Sequence, residues 1–272
     1  MPVWGTLKQV LSLCWAGRAT ALKFGAVPIV VNVVLVVFFT EVAPQSFTEY
    51  ARSWAISLVS ILAFAPFCVA WYRAILFGPD AVAARSVFTV TLLELRFFAW
   101  MLLISVMTAL VSAILVFVGV ALVVLISVIS EVAGVIAGIV LTIAGLAILL
   151  MTLSRWSIGL AMVATGGKMD LQRAWMAAKP YGWAMAGVQM IIFLAVAVIA
   201  GALLAGTLPD FIEAVRTKTA APERTQIIVQ LVGTIAGALT LWLTTTMYAL
   251  VYRMAIPAET AEAPPSLPEQ DG

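Results

Sequence analysis

The side chains in this chain best equipped for chemistry are three arginines set in one recurring context. Tyr72-Arg73-Ala74-Ile75, Arg155-Trp156-Ser157-Ile158 and Arg253-Met254-Ala255-Ile256 each bring an arginine to the exit of a long apolar stretch. A guanidinium makes bidentate contacts with a lipid phosphate or with a partner's carboxylate. The same cation at a helix C-terminus also complements the helix dipole and anchors that end on the positive side of a membrane. Arg73 and Arg155, with Arg173 and Lys179 on the polar segment that follows, are the candidate lipid- or partner-binding residues.

The rest of the inventory argues against a reaction. The chain contains no histidine and only two cysteines, Cys14 and Cys68, both in apolar contexts. The commonest general base and the commonest metal ligand are therefore missing, and no metal site, disulfide framework or cofactor is expected. No Ser/His/Asp set, nucleotide-binding glycine loop or dinucleotide fingerprint occurs. Gly166-Gly167-Lys168 lacks the remainder of a phosphate loop and reads as a turn. Acidic residues fall at the expected span edges, with Glu41, Glu49 and Glu131 on one side and Asp80, Glu94 and Asp170 on the other. The reading is a non-enzyme, with a formal net charge of +2 that gives no support to nucleic-acid binding.

The elements that carry these residues follow from composition. Of 272 residues, 64% are hydrophobic and 10% charged, against roughly 25% charged in an ordinary soluble domain. Apolar stretches of about 20 residues, enough to cross some 30 Å of hydrocarbon as a helix, recur along the chain. Six spans are expected near Phe24 to Thr40, Ser53 to Phe77, Phe97 to Ile126, Val132 to Leu153, Trp183 to Leu204 and Ile227 to Tyr252. The third is long enough to tilt, bend at Gly119 or continue into the interface. The amino terminus lacks a clear small-residue cleavage site, so the first span is expected to remain in the mature protein.

Lysine and arginine orient the spans. The amino-terminal segment (Lys8, Arg18, Lys23), the second junction (Arg73, Arg85, Arg96), the fourth (Arg155, Lys168, Arg173, Lys179) and Arg253 hold most of the cations. Only Arg52, Arg216, Lys218 and Arg224 fall on the opposite side. By the positive-inside rule both termini are expected in the cytoplasm, with the turn at Ser130 and Glu131 facing outward.

Each pair of spans follows a stretch that reads as a helix lying on the membrane surface. Asp170 to Lys179 puts Leu171, Ala174, Trp175 and Ala178 on one face behind an Asp170 N-cap. The first counterpart places Trp4, Leu7, Leu11 and Cys14 on one stripe, and Ala81 to Glu94 is a weaker middle one. The expected fold is all-α and integral to the membrane, with six transmembrane helices arranged as three parallel repeats of an interfacial helix plus a helical hairpin. The units are about 1–78, 79–165 and 166–256, forming one domain over 1–256. The third is longer through an outer segment, Leu208 to Gln226, where Pro209 and Asp210 start a short helix carrying Phe211, Ile212 and Val215. Residues 257–272 are acidic and proline-rich, and disorder is expected there.

Within the spans, Gly134 and Gly138, Gly233 and Gly237, and Gly201 between Ala197 and Ala205 form small-residue faces suited to close helix packing. Trp71, Tyr72, Trp156 and Tyr252 suit an interfacial aromatic belt. Pro28 and Pro66 fall in the first two spans with Asn32 nearby. The threonines Thr240, Thr244, Thr245 and Thr246 are expected to bond back onto preceding carbonyls.

Two segments carry a resemblance. Arg155-Trp156-Ser157-Ile158-Gly159-Leu160-Ala161, followed by Gly167, Leu171, Ala174-Trp175 and Gly182-Trp183, resembles a signature of uncharacterised six-helix bacterial inner-membrane proteins. Ala70-Trp71-Tyr72-Arg73-Ala74-Ile75-Leu76, with Arg96-Phe97 downstream, resembles the same group's pattern. That group is similar to the membrane domain attached to some glycerophosphodiester phosphodiesterases. The resemblance implies a six-helix inner-membrane fold and lends no catalytic residue, because it covers the membrane part alone. The expected function is therefore that of a non-catalytic inner-membrane protein: a lipid-interacting, scaffolding or accessory factor. Its expected partners are membrane lipids or another membrane protein, and its oligomeric state is left open. The alternative is a small permease whose pathway uses Asn32, Gln189 and the threonine cluster.

Overall fold

The computed structural model describes residues 2–39, 47–83, 85–86, 90–217 and 222–256. The tail 257–272 lies outside the described residues, as does Thr40 at the end of the first expected span. Helices and turns make up the described part, with no strand among them. The helices are α1 (Val3–Ala16), α2 (Arg18–Phe39), α3 (Phe47–Phe77), α4 (Leu92–Ile129), α5 (Glu131–Ala164), α6 (Leu171–Ala178), α7 (Gly182–Leu204), α8 (Leu208–Thr217) and α9 (Glu223–Ala255). Six of them, α2, α3, α4, α5, α7 and α9, are long and apolar enough to cross a membrane, with mean hydropathies between 1.5 and 3.1.

Local chemistry sets the helix ends. Thr91 and Glu94 form a capping box at the start of α4: the Thr91 hydroxyl accepts from Leu93 N, and Glu94 accepts from Thr91 N at 2.7 Å. Ser130 alone separates α4 from α5. Its N–H closes α4 on the Ile126 carbonyl at 3.1 Å, and its hydroxyl caps α5 through Ala133 N. α5 stops in a Schellman motif, with Gly166 N donating to Val163 O and Gly167 N to Met162 O, and Gly166 takes the left-handed φ of 94° that this motif requires. Asp170 caps α6 as the sequence predicts, accepting from Arg173 N at 2.9 Å.

The core lies where the C-terminal parts of α3, α5 and α9 meet. Val69 and Ala70, Ile158, Ala161 and Val163, and Met247, Ala249 and Val251 are fully covered there. Small side chains at such contacts let helix backbones approach closely and multiply dispersion contacts. Polar ties cross the same region. Trp71 Nε1 donates to Thr246 Oγ1 at 2.8 Å, Cys14 Sγ lies 3.1 Å from the same oxygen, and Ser154 Oγ donates to Gln189 Oε1 at 2.7 Å. Thr244 and Thr246 also bond back onto Thr240 O and Trp242 O, as expected of threonines in apolar helices.

Several expectations change. In α1 the covered face is Thr6, Val10 and Cys14, while Trp4 and Leu11 are 72% and 51% exposed. α7 and α9 accept the slimmer side chains, with Val3 against Gly187, and the indoles turn outward. Of the middle surface helix expected over Ala81 to Glu94, the described residues show a single 3-10 turn at 79–82 and an extended entry into α4 at Thr91, while Ala84 and residues 87–89 lie outside the described residues. Trp71, Tyr72 and Tyr252 do not form a belt but are buried, with the Tyr72 ring 5.9 Å from that of Phe97. Pro28 and Pro66 lie inside continuous helices α2 and α3, and Asn32 Nδ2 donates to the Pro28 carbonyl at 2.8 Å.

The glycine faces divide. Gly134 packs against Ser127 and Gly138 against Val123, holding α4 to α5. At Gly201, Gly233 and Gly237, by contrast, a Cβ would meet nothing within 4 Å among the described residues. α4 is one unbroken helix of 38 residues that includes Gly119, about 57 Å at 1.5 Å per residue. Toward the Ser130 turn α4 and α5 pack against each other, and Val128 and Ile129 are 82% and 83% exposed. The outer short helix forms as α8, tied back when Thr225 donates to the Asp210 carboxylate. Ile212 on it is exposed, and the side chains of Phe211 and Val215 lie outside the described residues.

Candidate functional site

The N-termini of α2, α4 and α7 and the C-termini of α3, α5 and α9 gather at one end of the bundle. Contacts from Lys23 to the Ala83 carbonyl, Tyr72 to Phe97 and Arg155 to Gly182 hold these ends together. Nearly all the cations expected on one side are here, while the described acidic residues at this end are Asp80, Glu94 and Asp170.

The three repeated arginines have three different environments. Arg253 is exposed in the last turn of α9, where a cation complements the dipole. Arg73 is half-buried near the end of α3, with its Nε covered and without a hydrogen-bond partner among the described residues. Arg155 lies well inside α5, which continues to Ala164, so the sequence alignment of the three does not match their depth. Its guanidinium stands 4.6 Å from the Trp175 ring centroid and packs on the bare Cα of Gly182, where a Cβ would come within 2.6 Å of Nε. It acts there as a clamp between α5, α6 and the start of α7, worth about 0.5–2 kcal/mol as a cation–π pair.

Beside Arg73 sits a closed charge cluster that sequence reasoning missed. Glu94 is 0% exposed, forms an ion pair with Arg85 and accepts from both the backbone and the hydroxyl of Thr91. Its carboxylate therefore fixes the α4 start and the preceding loop rather than facing solvent. Burial, and secondarily the nearby Arg73 charge, lower the pKa of Arg85 from the ordinary arginine value. The Thr-x-x-Glu spacing at 91–94 is the sequence signal that would have found this cap.

A cavity of about 420 Å³ opens at the junction of α4, α5, α6 and α9. Arg96, Lys168 and Arg173 line it, together with one acid, Asp170, and with Tyr252 and Ile256 as its apolar wall. Of the four candidate binding residues, this site takes Arg173 alone. Arg155 is engaged with Trp175 and Gly182, Arg73 lies half-buried near the end of α3, and Lys179 is exposed at the far end of α6. Arg96 and Lys168 read as orientation charges in the sequence, and only folding brings them beside Arg173.

Among the described residues no three His, Cys, Asp or Glu side chains come together to hold a metal ion. Burial pushes the Cys14 thiol up to about 11, against a smaller opposing effect from its contact with Thr246, so it is a poor nucleophile near neutrality. Apolar grooves run between α4 and α5 and among α2, α3 and α9, but the hydroxyls of Ser112 and Thr142 in the first are spent on their own helix carbonyls. Compared with protein-family models, curated proteins and solved structures, the chain matches none of them.

Proposed function

We propose that the chain is a non-catalytic multi-pass protein of the bacterial inner membrane, acting as a lipid-interacting, scaffolding or accessory factor with both termini cytoplasmic. One observation carries this reading, the inverted surface of the long helices. Leu110, Phe117, Val124, Ile136 and Ile143 point outward from α4 and α5, whereas Asn32, Gln189 and Thr246 are buried and bonded to other side chains of the bundle. A hydrocarbon solvent selects this arrangement, because groups that need hydrogen bonds must find them inside the protein. The cation-rich end supports a cytoplasmic assignment for it. The pairs α2–α3, α4–α5 and α7–α9 form three units in this proposal, with α1 and α6 as the surface helices of the first and third. The resemblance to six-helix inner-membrane proteins points the same way.

The permease alternative gains no support from its own polar residues. Asn32 is engaged with Ser60 and the Pro28 carbonyl, Gln189 with Ser154, and Thr246 with Trp71. None of them lines the cavity at the basic end.

The test is extraction and purification. The protein is expected to stay in carbonate-washed membranes, to leave them in mild detergent with phospholipid attached, and to release no headgroup from added phospholipid. Full release by carbonate, purification free of lipid, or headgroup hydrolysis would each overturn the reading.

A further inference from the structure

Arg96 and Arg173 occupy positions that helix electrostatics does not favour. Arg173 is in the first turn of α6 and Arg96 is two residues past the Glu94 of the α4 capping box, so both sit near positive dipole ends. Neither therefore serves as a dipole complement. Lys168, from the turn after α5, joins them in lining one cavity. The single acid there, Asp170, spends one oxygen, Oδ1, on the Arg173 backbone N–H, so three cations face one carboxylate in the cavity. Among the described residues none of the three cationic side chains has a carboxylate or carbonyl partner.

We propose that the Arg96–Lys168–Arg173 cavity binds a phosphate group, carried by an anionic lipid headgroup or free in solution. This rests on the membrane reading above and names the ligand chemistry of its basic end. Three cations reaching in from three separate elements suit a tetrahedral oxyanion, which offers acceptors in several directions, better than a planar carboxylate with two oxygens. The volume, about 420 Å³, lies within the roughly 300–1,000 Å³ of small-molecule sites and leaves room for the group that bears the phosphate. Gly166 and Gly167 contribute no side chain to the wall, and their amides are occupied in the Schellman motif, so recognition falls to the three side chains. Tyr252 and Ile256 supply an apolar wall where a glycerol backbone can lie.

The experiment uses the full chain in neutral-detergent micelles, with bound lipid counted by native mass spectrometry. The probes are phosphatidic acid, phosphatidylglycerol, diacylglycerol of the same chain length, and inorganic phosphate as a competitor. Anionic lipid is expected to bind saturably and diacylglycerol is not. Each of Arg96→Gln, Lys168→Gln and Arg173→Gln should weaken binding about fivefold and the triple variant roughly a hundredfold, whereas Lys8→Gln with Lys179→Gln should leave it unchanged. Displacement of lipid only at high phosphate concentration assigns the site to headgroups; saturation by phosphate without lipid preference assigns it to the free ion. The proposal is overturned if the triple variant, with an unaltered melting temperature, binds as the parent does, or if the Lys8/Lys179 variant loses as much. In that event lipid retained by all variants leaves the membrane reading intact, while a parent protein that retains none removes both.

Discussion

The guanidinium of Arg155 lies over the indole of Trp175 at 4.6 Å and presses on Gly182, so one side chain joins three helices. That arrangement needs a cation, an aromatic face and a missing Cβ together. Gly182→Val should lower the melting temperature in detergent markedly, because both the new methyls and Cβ displace the guanidinium. In a double-mutant cycle, Arg155→Met and Trp175→Leu should show a coupling of about 0.5–2 kcal/mol. Additive losses from the two substitutions would mean the stack carries no energy.

Glycines of the same sequence pattern should respond in opposite ways. A Cβ at Gly134 would stand 3.0 Å from the Ser127 Cα, so Gly134→Ala should cost about 1–3 kcal/mol as the α4–α5 contact is forced apart. Gly237 meets open space, and Gly237→Ala should be neutral or stabilise by up to about 1 kcal/mol through helix propensity. Unfolding in graded sodium dodecyl sulfate measures both.

Thr246 is the shared partner of Trp71 Nε1 and Cys14 Sγ. Thr246→Val keeps the shape and strands the indole N–H, with an expected loss of about 0.6 to 1.7 kcal/mol for a hydrogen bond between membrane helices. Thr246→Ser should restore the bond and most of the stability. Equal losses for valine and serine would point to packing alone.

The Cys14 thiol gives a pH signature. Burial raises its pKa from the usual 9.0 to about 11 in the folded protein, while the unfolded chain keeps the lower value. The unfolded state therefore loses its proton first as pH rises. The stability associated with the neutral thiol is fully present below about pH 9 and is lost as pH approaches 11. Melting curves of the parent and of Cys14→Ala should diverge below pH 9 and converge above 11, and maleimide should react slowly with the folded protein at pH 7.

Sequence periodicity and hydropathy were enough for the six long helices, the Asp170 cap and the gathering of cations at one end, because each depends on local composition. They were misleading wherever a neighbouring helix chooses the face. α1 has apolar residues on more than one side, and which stripe is buried depends on α7 and α9 accepting Thr6 and Val10 but not Trp4. Gly134 and Gly237 sit in the same kind of motif, yet among the described residues a Cβ would meet a neighbour at Gly134 and nothing within 4 Å at Gly237. The basic cavity was illegible for a similar reason, since Arg96, Lys168 and Arg173 come from three elements and become a site only when α4, α5, α6 and α9 meet.

The central claim, a six-span protein with its basic end in the cytoplasm, is tested most directly by single-cysteine labelling in intact cells. The native Cys14 and Cys68 are buried and provide the blank. Ser130→Cys, in the turn between α4 and α5, should react with a membrane-impermeant maleimide added outside, whereas Arg173→Cys should react only after the cells are opened. Labelling of Arg173→Cys from outside, with Ser130→Cys protected until lysis, would contradict the account.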